Sequence, residues 1–284
     1  MTDRIQVPTR LLVHALVRAD GTVDAGELYR VAETIGMSEQ QVRLCVKRLV
    51  AEGRFRHEGR GRKAVLHASA DTQRELAPNL DFLHHAYRQD TGLEPWDGRW
   101  HLAAFAVPES ARPARDALRD TLLRLGGAAL QGGLYVCANP WEPYLVAAAS
   151  ELGVPDSLTL LTSTDLRRGE VSDPVELARE LWPQEELAEG YRRLSRVAEV
   201  RLARLGGGPS PDERLVIAVE LAAELSRVME PDPLLPPELL PQPWPGAQAR
   251  DLFARCWTAL GEETPSILFR QYAGISFPPA VPPR

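Results

Sequence analysis

Apolar residues recur at helical spacing in three segments of the first seventy positions. Residues 8–18 and 25–35 place an apolar side chain at every third or fourth position, which predicts two amphipathic helices. Gly36 supplies a tight turn into a third helix. In this third helix the spacing i, i+3, i+4, i+7 and i+8 predicts one buried face, formed by Val42, Cys45, Val46, Leu49 and Val50.

Both ends of the third helix are marked by residues that favour helix termini. Ser38 is a candidate N-cap, and Gln41 follows at the distance at which the two side chains bond each other's free backbone amides. Gly53 follows the last apolar position and can end the helix. Gln40, Arg43 and Lys47 then project away from the buried face.

Residues 54–68 predict two short strands around a tip at residues 59–62. Phe55 and Leu66 are expected to point inward, and arginines fill the tip. A helix of a width that suits the major groove, followed by a basic hairpin, is typical of a winged helix-turn-helix.

The rest of the chain predicts an α+β middle region and a helical end. A helical connector at residues 71–95 is interrupted near Pro78. It precedes a domain at 96–205, in which strands and helices alternate. This alternation indicates a ferredoxin-like domain with a helical extension at 173–205. After a Gly/Pro linker at 206–211, residues 212–284 predict a C-terminal helical domain, and residues 1–70 form the winged-helix domain. The middle-domain elements are strands at 99–107, 133–137 and 157–163 and helices at 109–125 and 140–152.

Composition narrows the class of protein. The 284 residues are 44% hydrophobic and 25% charged, with no apolar run near the roughly 20 residues that cross a bilayer. With no signal peptide pattern, we expect a cytoplasmic protein that does not enter membranes. The three cysteines are far apart and are expected to pack, and the adjacent His84 and His85 cannot easily share an ion, so no metal or cofactor is expected.

Positive charge is concentrated in one region of an acidic chain. The net charge is −6, yet positions 39–63 hold eight basic and three acidic residues. This segregation favours binding to nucleic acid. The expected DNA contacts are base edges for Gln40 and Arg43 and phosphates for most of the others. The full set of candidate DNA-binding residues is Ser38, Gln40, Gln41, Arg43, Lys47, Arg54, Arg56, Arg60, Arg62 and Lys63.

Six segments together resemble the PaaX family of bacterial transcriptional regulators. The family implies a winged-helix head, a ferredoxin-like middle domain and a C-terminal helical domain. It also implies a dimeric repressor at a palindromic operator, often for phenylacetate or other aromatic-acid catabolism, that releases DNA when a CoA thioester such as phenylacetyl-CoA binds. The segments are MSEQQVRLCVKRLVAEG, WDGRWHLAAFAVPE, RPARDALRDTLLRLG, GLYVCANP, DPVELARELWP and DPLLPPELLPQPWPG.

One position departs from the family pattern. Ala106 stands where members usually carry an aspartate, and a similar aspartate helps to hold a metal in the related CRISPR-associated endoribonuclease. A carboxylate-bound metal is therefore unsupported there. The alternative function, a metal-dependent nucleic-acid hydrolase, would have to use acids such as Asp97, Glu109 and Asp165. A protein-interaction scaffold is a third hypothesis.

An effector pocket is expected between the middle and C-terminal domains. Aromatic walls and one positive charge would suit a small aromatic or acyl ligand. The candidate residues are Trp100, Trp182, Tyr191, Arg192 and Trp244.

Overall fold

The computed structural model describes residues 5–18, 20–76 and 80–261, with the side chains of residues 74–76, 80 and 81 left out. The predicted interruption near Pro78 and the segment after residue 261 lie outside this range. Within the described residues, no helix combines the length and apolarity that crossing a bilayer requires. The chain forms a mixed α+β fold with two small antiparallel sheets.

The described chain divides into two compact units. Unit 1 comprises the described residues within 1–84, 193–226 and 248–261, and unit 2 comprises residues 85–192 and 227–247. The boundaries fall inside helices, so they differ from the five sequence-based domains, which remain predictions.

In unit 1, the first helices and strands follow the predicted order closely. The third helix begins and ends where its caps predict, whereas the three-residue strand β1 was not predicted. The three strands form one sheet in the order β1-β3-β2, with Val23 opposite Leu66 and Phe55 opposite Ala68. The elements are α1 (Thr9–Ala15), β1 (Thr22–Asp24), α2 (Ala25–Thr34), α3 (Glu39–Ala51), β2 (Phe55–Glu58), β3 (Val65–Ala68) and α4 (Ala70–Leu76).

The core of this region is made by the apolar faces of α1, α2 and α3 and by the sheet. Val42 and Leu49 of α3 are buried, whereas Cys45, Val46 and Val50 are half-buried. The predicted face is therefore correct in direction but narrower in its fully buried part. Other buried apolar residues of this region include Leu12, Leu16, Leu28, Val31, Phe55 and Leu66.

In unit 2, a four-stranded sheet is built from two interleaved strand-helix-strand segments. Its order is β5-β6-β4-β7, and every neighbouring pair is antiparallel. The strand β5 was not predicted. The elements are α5 (Leu80–Asp90), which begins in unit 1, β4 (Trp100–Phe105), α6 (Arg112–Arg124), β5 (Ala128–Gln131), β6 (Leu134–Cys137), α7 (Glu142–Glu151), β7 (Leu158–Ser163) and α8 (Pro174–Leu181).

Each face of this sheet supports its own hydrophobic core. Leu122 of α6 and Leu145 of α7 pack with Ala103 and Tyr135 on one face. On the other face, Trp100, Leu102 and Val136 pack with α8 and with a proline-rich segment, residues 231–244, through Leu235 and Leu239.

The long helical stretch predicted at 173–205 is interrupted. Trp182 precedes Pro183, and a residue before proline is disfavoured in helical geometry. Trp182 therefore adopts an extended conformation and the helix ends there. The remaining helices contribute to both units. They are α9 (Gln184–Gly206), α10 (Pro211–Met229) and α11 (Pro245–Leu260).

Candidate nucleic-acid interface

The helix α3 starts at a fixed residue because its cap is complete. The amide of Gln41 donates to the Ser38 hydroxyl at 3.2 Å, and the Ser38 amide donates to Oε1 of Gln41 at 2.8 Å. The predicted capping box is confirmed. Both side chains are occupied by this exchange, so in the structure Ser38 and Gln41 position the helix.

Glycines in left-handed conformation form the turns at both ends of α3. Gly36 has φ 75°, and the amide of Met37 donates to the carbonyl of Ala32 at 2.8 Å. Gly53 has φ 71°, and the amide of Arg54 donates to the carbonyl of Leu49 at 2.9 Å. Residues other than glycine rarely adopt a positive φ, so glycine suits both positions.

The outer face of α3 presents polar and basic side chains to solvent. Gln40, Arg43, Lys47 and Arg48 are exposed. Among the described residues, none of these three cations forms an ion pair. The helix therefore offers uncommitted donors for base edges and phosphates.

In the hairpin formed by β2, β3 and their connection, several arginines are already paired. Arg56 meets Glu58 at 3.1 Å, and Arg62 meets Glu39 of α3 at 2.6 Å. Arg54, at the entrance to the hairpin, lies 3.7 Å from Glu52. The sequence-based charge surplus therefore overstates the positive charge that this hairpin can offer.

Arg60 and Lys63 remain exposed without an ion pair in the described chain. Lys63 lies in a short 3-10 turn at Gly61–Lys63 that shapes the tip. No neighbouring carboxylate in the described chain offsets the charge of Arg60 or Lys63, so both can bind an external anion.

The pair between Glu39 and Arg62 joins the first turn of α3 to the hairpin tip. Hydrogen bonding and charge from Arg62 lower the pKa of Glu39, with a smaller contribution from Arg43. The same contact with Glu39 raises the pKa of Arg62. Glu39 was counted in the sequence as an acid but not recognised as a partner, since 23 positions separate it from Arg62.

The hairpin tip is also attached to the start of α2. The amide of Ala25 donates to the carbonyl of Ala64 at 3.0 Å. A Cβ at Gly26 would lie 3.0 Å from the carbonyl oxygen of Arg62 and 3.1 Å from Oδ1 of Asp24, the N-cap of α2. A side chain at Gly26 would therefore require the tip or Asp24 to shift by a few tenths of an ångström.

Helix α3 and the hairpin border a common cleft. It has a volume of about 360 Å³, and Glu39, Arg43 and Arg62 lie on its wall. Tyr29 and His57 also line it. Arg43 thus lies on the wall of a cleft that combines charged groups with apolar side chains such as Leu28 and Leu66.

The five candidate effector residues all lie in unit 2, mostly as packing residues. Trp100 and Trp182 are buried and stack with ring centroids 6.2 Å apart. Tyr191 is buried, donates to Asp232 and contacts the half-buried Trp244 edge to face at 6.0 Å. Arg192 is exposed and pairs with Glu185 at 2.9 Å and Glu189 at 3.3 Å.

A larger cleft in unit 2 does not involve these residues. Its volume is about 630 Å³, and α6 and α7 line it with Asp120, Leu123, Arg124 and Glu151 among others.

The acids considered for a hydrolase each have a local basic or backbone partner. Asp97 accepts from the amide of Arg99 at 2.9 Å, Glu109 pairs with Arg115 at 2.7 Å, and Asp165 pairs with Arg167 at 3.0 Å. Within the described residues, no group of three or more His, Cys, Asp or Glu side chains could hold a metal. The geometry gives no support to a carboxylate metal site.

Two of the cysteines are buried thiols of low reactivity. Burial raises the pKa of Cys137 to about 12 and that of Cys256 to about 11. Cys45 is half-buried, and burial raises its pKa as well. Thiols that remain protonated are poor nucleophiles, which agrees with the predicted packing role.

Three models of one protein family match successive parts of the chain. The model described as PaaX-like protein matches residues 8–71, the PaaX protein central Cas2-like domain matches residues 93–177, and the PaaX-like protein C-terminal domain matches residues 182–269. The chain belongs to the PaaX family. The resemblance seen in the sequence is thereby confirmed.

This PaaX family member is similar to two individual proteins at low sequence identity. The transcriptional repressor PaaX of Escherichia coli K12 is 26% identical over 241 residues, which span 84% of this chain and 74% of that protein. This relative is a transcriptional regulator. The solved structure of the uncharacterized protein Rv0674 from Mycobacterium tuberculosis is 24% identical, with a TM-score of 0.45, and covers 83% of this chain and 87% of that one.

Proposed function

We propose that this protein is a DNA-binding transcriptional repressor that reads its operator with α3. The observation that carries this proposal is the exposed face of Gln40, Arg43 and Lys47 on a helix with a fixed start. Membership of the PaaX family and the name of the Escherichia coli relative support the same function.

The element order supports a winged helix-turn-helix in residues 1–70. Helix, strand, two helices and a two-stranded hairpin follow one another, and Gly36 turns α2 into α3. A ferredoxin-like middle domain at 96–205 is supported by the interleaved antiparallel order of β4 to β7. The connector at 71–95, the linker at 206–211 and the helical domain at 212–284 complete the proposed organisation.

The contacts divide into reading, positioning and phosphate-binding groups. Gln40 can bond adenine and Arg43 can bond guanine at two points each. Lys47, Arg60 and Lys63 hold phosphates, and Ser38 with Gln41 fixes the helix start. Arg54, Arg56 and Arg62 contribute less to phosphate binding because carboxylates already neutralise them in part.

Regulation follows the family resemblance. The protein would act in the cytoplasm as a homodimer on a palindromic operator of aromatic-acid catabolic genes, such as those for phenylacetate. A CoA thioester such as phenylacetyl-CoA would release it by binding more tightly to a form that does not bind DNA. Trp244 and Arg192 are the candidate effector contacts that are not buried, and binding of an anionic ligand at Arg192 would have to compete with Glu185 and Glu189.

Selection of bound fragments from genomic DNA tests the proposal directly. We expect enrichment of a two-fold symmetric sequence, with affinity that falls steeply as salt rises. Adding phenylacetyl-CoA to the complex should release the DNA in a fluorescence anisotropy titration. Failure to enrich any sequence would overturn the repressor function, whereas enrichment without release would leave DNA binding intact and remove this effector.

A further inference from the structure

The two edges of the unit 2 sheet differ in how they are protected. At one edge, β5 contains an irregularity between Ala129 and Gln131 and packs through Ala128 near α8. At the other edge, β7 pairs with β4 without interruption, from Phe105 opposite Leu158 to Trp100 opposite Ser163. Bulges and covering elements are the usual protection of an exposed edge, and β7 has no bulge.

The hydrogen-bonding pattern shows which backbone groups of β7 face outward. The amide of Ala106 donates to the carbonyl of Ser157 at 2.9 Å, so the alternate residues 159, 161 and 163 also point their backbone groups toward β4. The amides and carbonyls of Leu158, Leu160 and Thr162 therefore point away from the sheet. Within the described residues, these outward groups have no backbone partner.

The side chains along β7 lack the features that discourage pairing between copies. Residues 157–164 contain no charged residue and no proline in a chain that is 25% charged. Leu161 is 46% exposed, and Thr159 and Thr162 are exposed beside it. Two copies of this acidic protein can approach each other along this strand without meeting like charges.

We propose that β7 is a self-association edge that pairs antiparallel with β7 of a second copy, which joins the two four-stranded sheets. This inference deepens the proposed function, since it assigns the surface of the proposed homodimer. An edge strand meets its own copy across a two-fold axis, so the interface is self-complementary.

Symmetry and hydrogen bonding together select the register. A two-fold axis perpendicular to the sheet keeps each side chain on its own face, so facing residues must be an even number of positions apart. Centring the pairing on Leu160 sets Leu158 opposite Thr162 of the second copy and gives every outward backbone group a partner. The same register sets Leu161 against Thr159, which covers the exposed leucine.

Light scattering coupled to size exclusion tests this edge on the full chain without DNA. Thr162→Pro removes an amide that β4 does not use, and edge strands tolerate proline at such positions. Leu161→Lys adds a charge at the junction, and Leu123→Lys on α6 is its control because Leu123 is 45% exposed. We expect a dimer for the wild type and Leu123→Lys, and monomers for Thr162→Pro and Leu161→Lys with unchanged circular dichroism.

A disulfide tests the register even if an edge variant fails to fold. With Cys45 replaced by Ser, T159C/L161C should give a covalent dimer on oxidation, because directly opposed antiparallel residues are within reach of a disulfide. In the same Cys45→Ser background, the control variant R119C/L123C on α6 should give no covalent dimer on oxidation.

The outcomes separate this inference from the proposed function. A monomeric wild type, or a dimer that survives both edge variants and does not cross-link, would overturn the β7 interface without bearing on DNA binding by α3. A dimer that is lost in the edge variants, in a protein that selects no DNA sequence, would support the interface and refute the repressor function.

Discussion

Helix α3 and the hairpin that follows it carry basic residues at similar density but in different electrostatic states. In the described chain Arg43, Lys47 and Arg48 of α3 make no ion pair. In and beside the hairpin, by contrast, Arg54, Arg56 and Arg62 have carboxylates within 4 Å. A charge that already has a partner must give it up, or share it, before it can bind phosphate.

Under the proposed function, the difference assigns distinct tasks to the two regions. Unpaired cations on a capped helix can make direct contacts with bases, and a partly neutralised hairpin can hold its shape while adding fewer phosphate contacts. Specificity is then expected to depend mainly on α3, and the salt dependence on Lys47, Arg60 and Lys63.

The largest effect is expected from Arg43→Ala. Loss of a two-point contact to a base should weaken binding to the selected operator by about 1–3 kcal/mol, roughly five- to 150-fold, and relax specificity at one position. Anisotropy titrations against operator and random DNA measure both effects. Arg119→Ala is the matched control, an exposed helical arginine of unit 2. Equal losses on both DNAs would show that Arg43 binds phosphate instead.

A smaller loss is expected from Ser38→Ala, which removes the cap of α3. Caps of this kind contribute about 1 kcal/mol to stability, and a frayed first turn should also weaken operator binding. Urea unfolding of the purified protein measures the change. Thr34→Ala is the control, since the Thr34 hydroxyl donates to the carbonyl of Arg30 within its own helix and caps no amide. If both variants unfolded at the same urea concentration, the Ser38 cap would contribute no more to the free energy of unfolding than the Thr34 hydroxyl does.

Arg60→Ala and Arg62→Ala distinguish free from paired arginines. Arg60→Ala should reduce the slope of log affinity against log salt by about one unit. Arg62→Ala should reduce it less, because Glu39 already holds that guanidinium. In a Glu39→Gln background the two changes should become equal, and identical slopes in the native background would contradict a role for the ion pair.

The smallest effect concerns the acid titration of Glu39. Its pKa is lowered by Arg62, so the stabilisation from this pair is present above the pKa of Glu in the unfolded chain and is lost as pH falls through the lower folded value. Carboxyl NMR should show the pKa of Glu39 rising toward its usual range in Arg62→Ala. An unchanged titration would mean that the pair does not persist in solution.

Local patterns were sufficient for most of the helices and for the ends of α3, although the helix predicted at 173–205 is divided at Trp182 and Pro183. The capping box and both glycine turns involve residues within a few positions, so the sequence specifies them directly. Element order and the family resemblance were also accessible in the sequence.

The features that were missed depend on distant residues. The strand β1 has three residues and exists through its pairing with β3, while β5 contains Ala128 and Ala129, which have low strand propensity, and is defined by pairing with β6. The ion pair between Glu39 and Arg62 likewise requires the hairpin to fold back on α2 and α3. Charge counting along the chain cannot distinguish such a pair from two free charges.

The close approach of the hairpin tip to Gly26 has a consequence for the thermodynamics of binding. A basic loop that moved freely would lose conformational entropy when DNA ordered it, and this loss would subtract from the affinity. Here the backbone bond from Ala25 to Ala64 and the packing of the Gly61–Lys63 turn against α2 order the tip before any ligand arrives. Arg60 and Lys63 are thus carried on a preorganised backbone, so in the proposed DNA complex more of their attraction for phosphate would be retained as binding free energy.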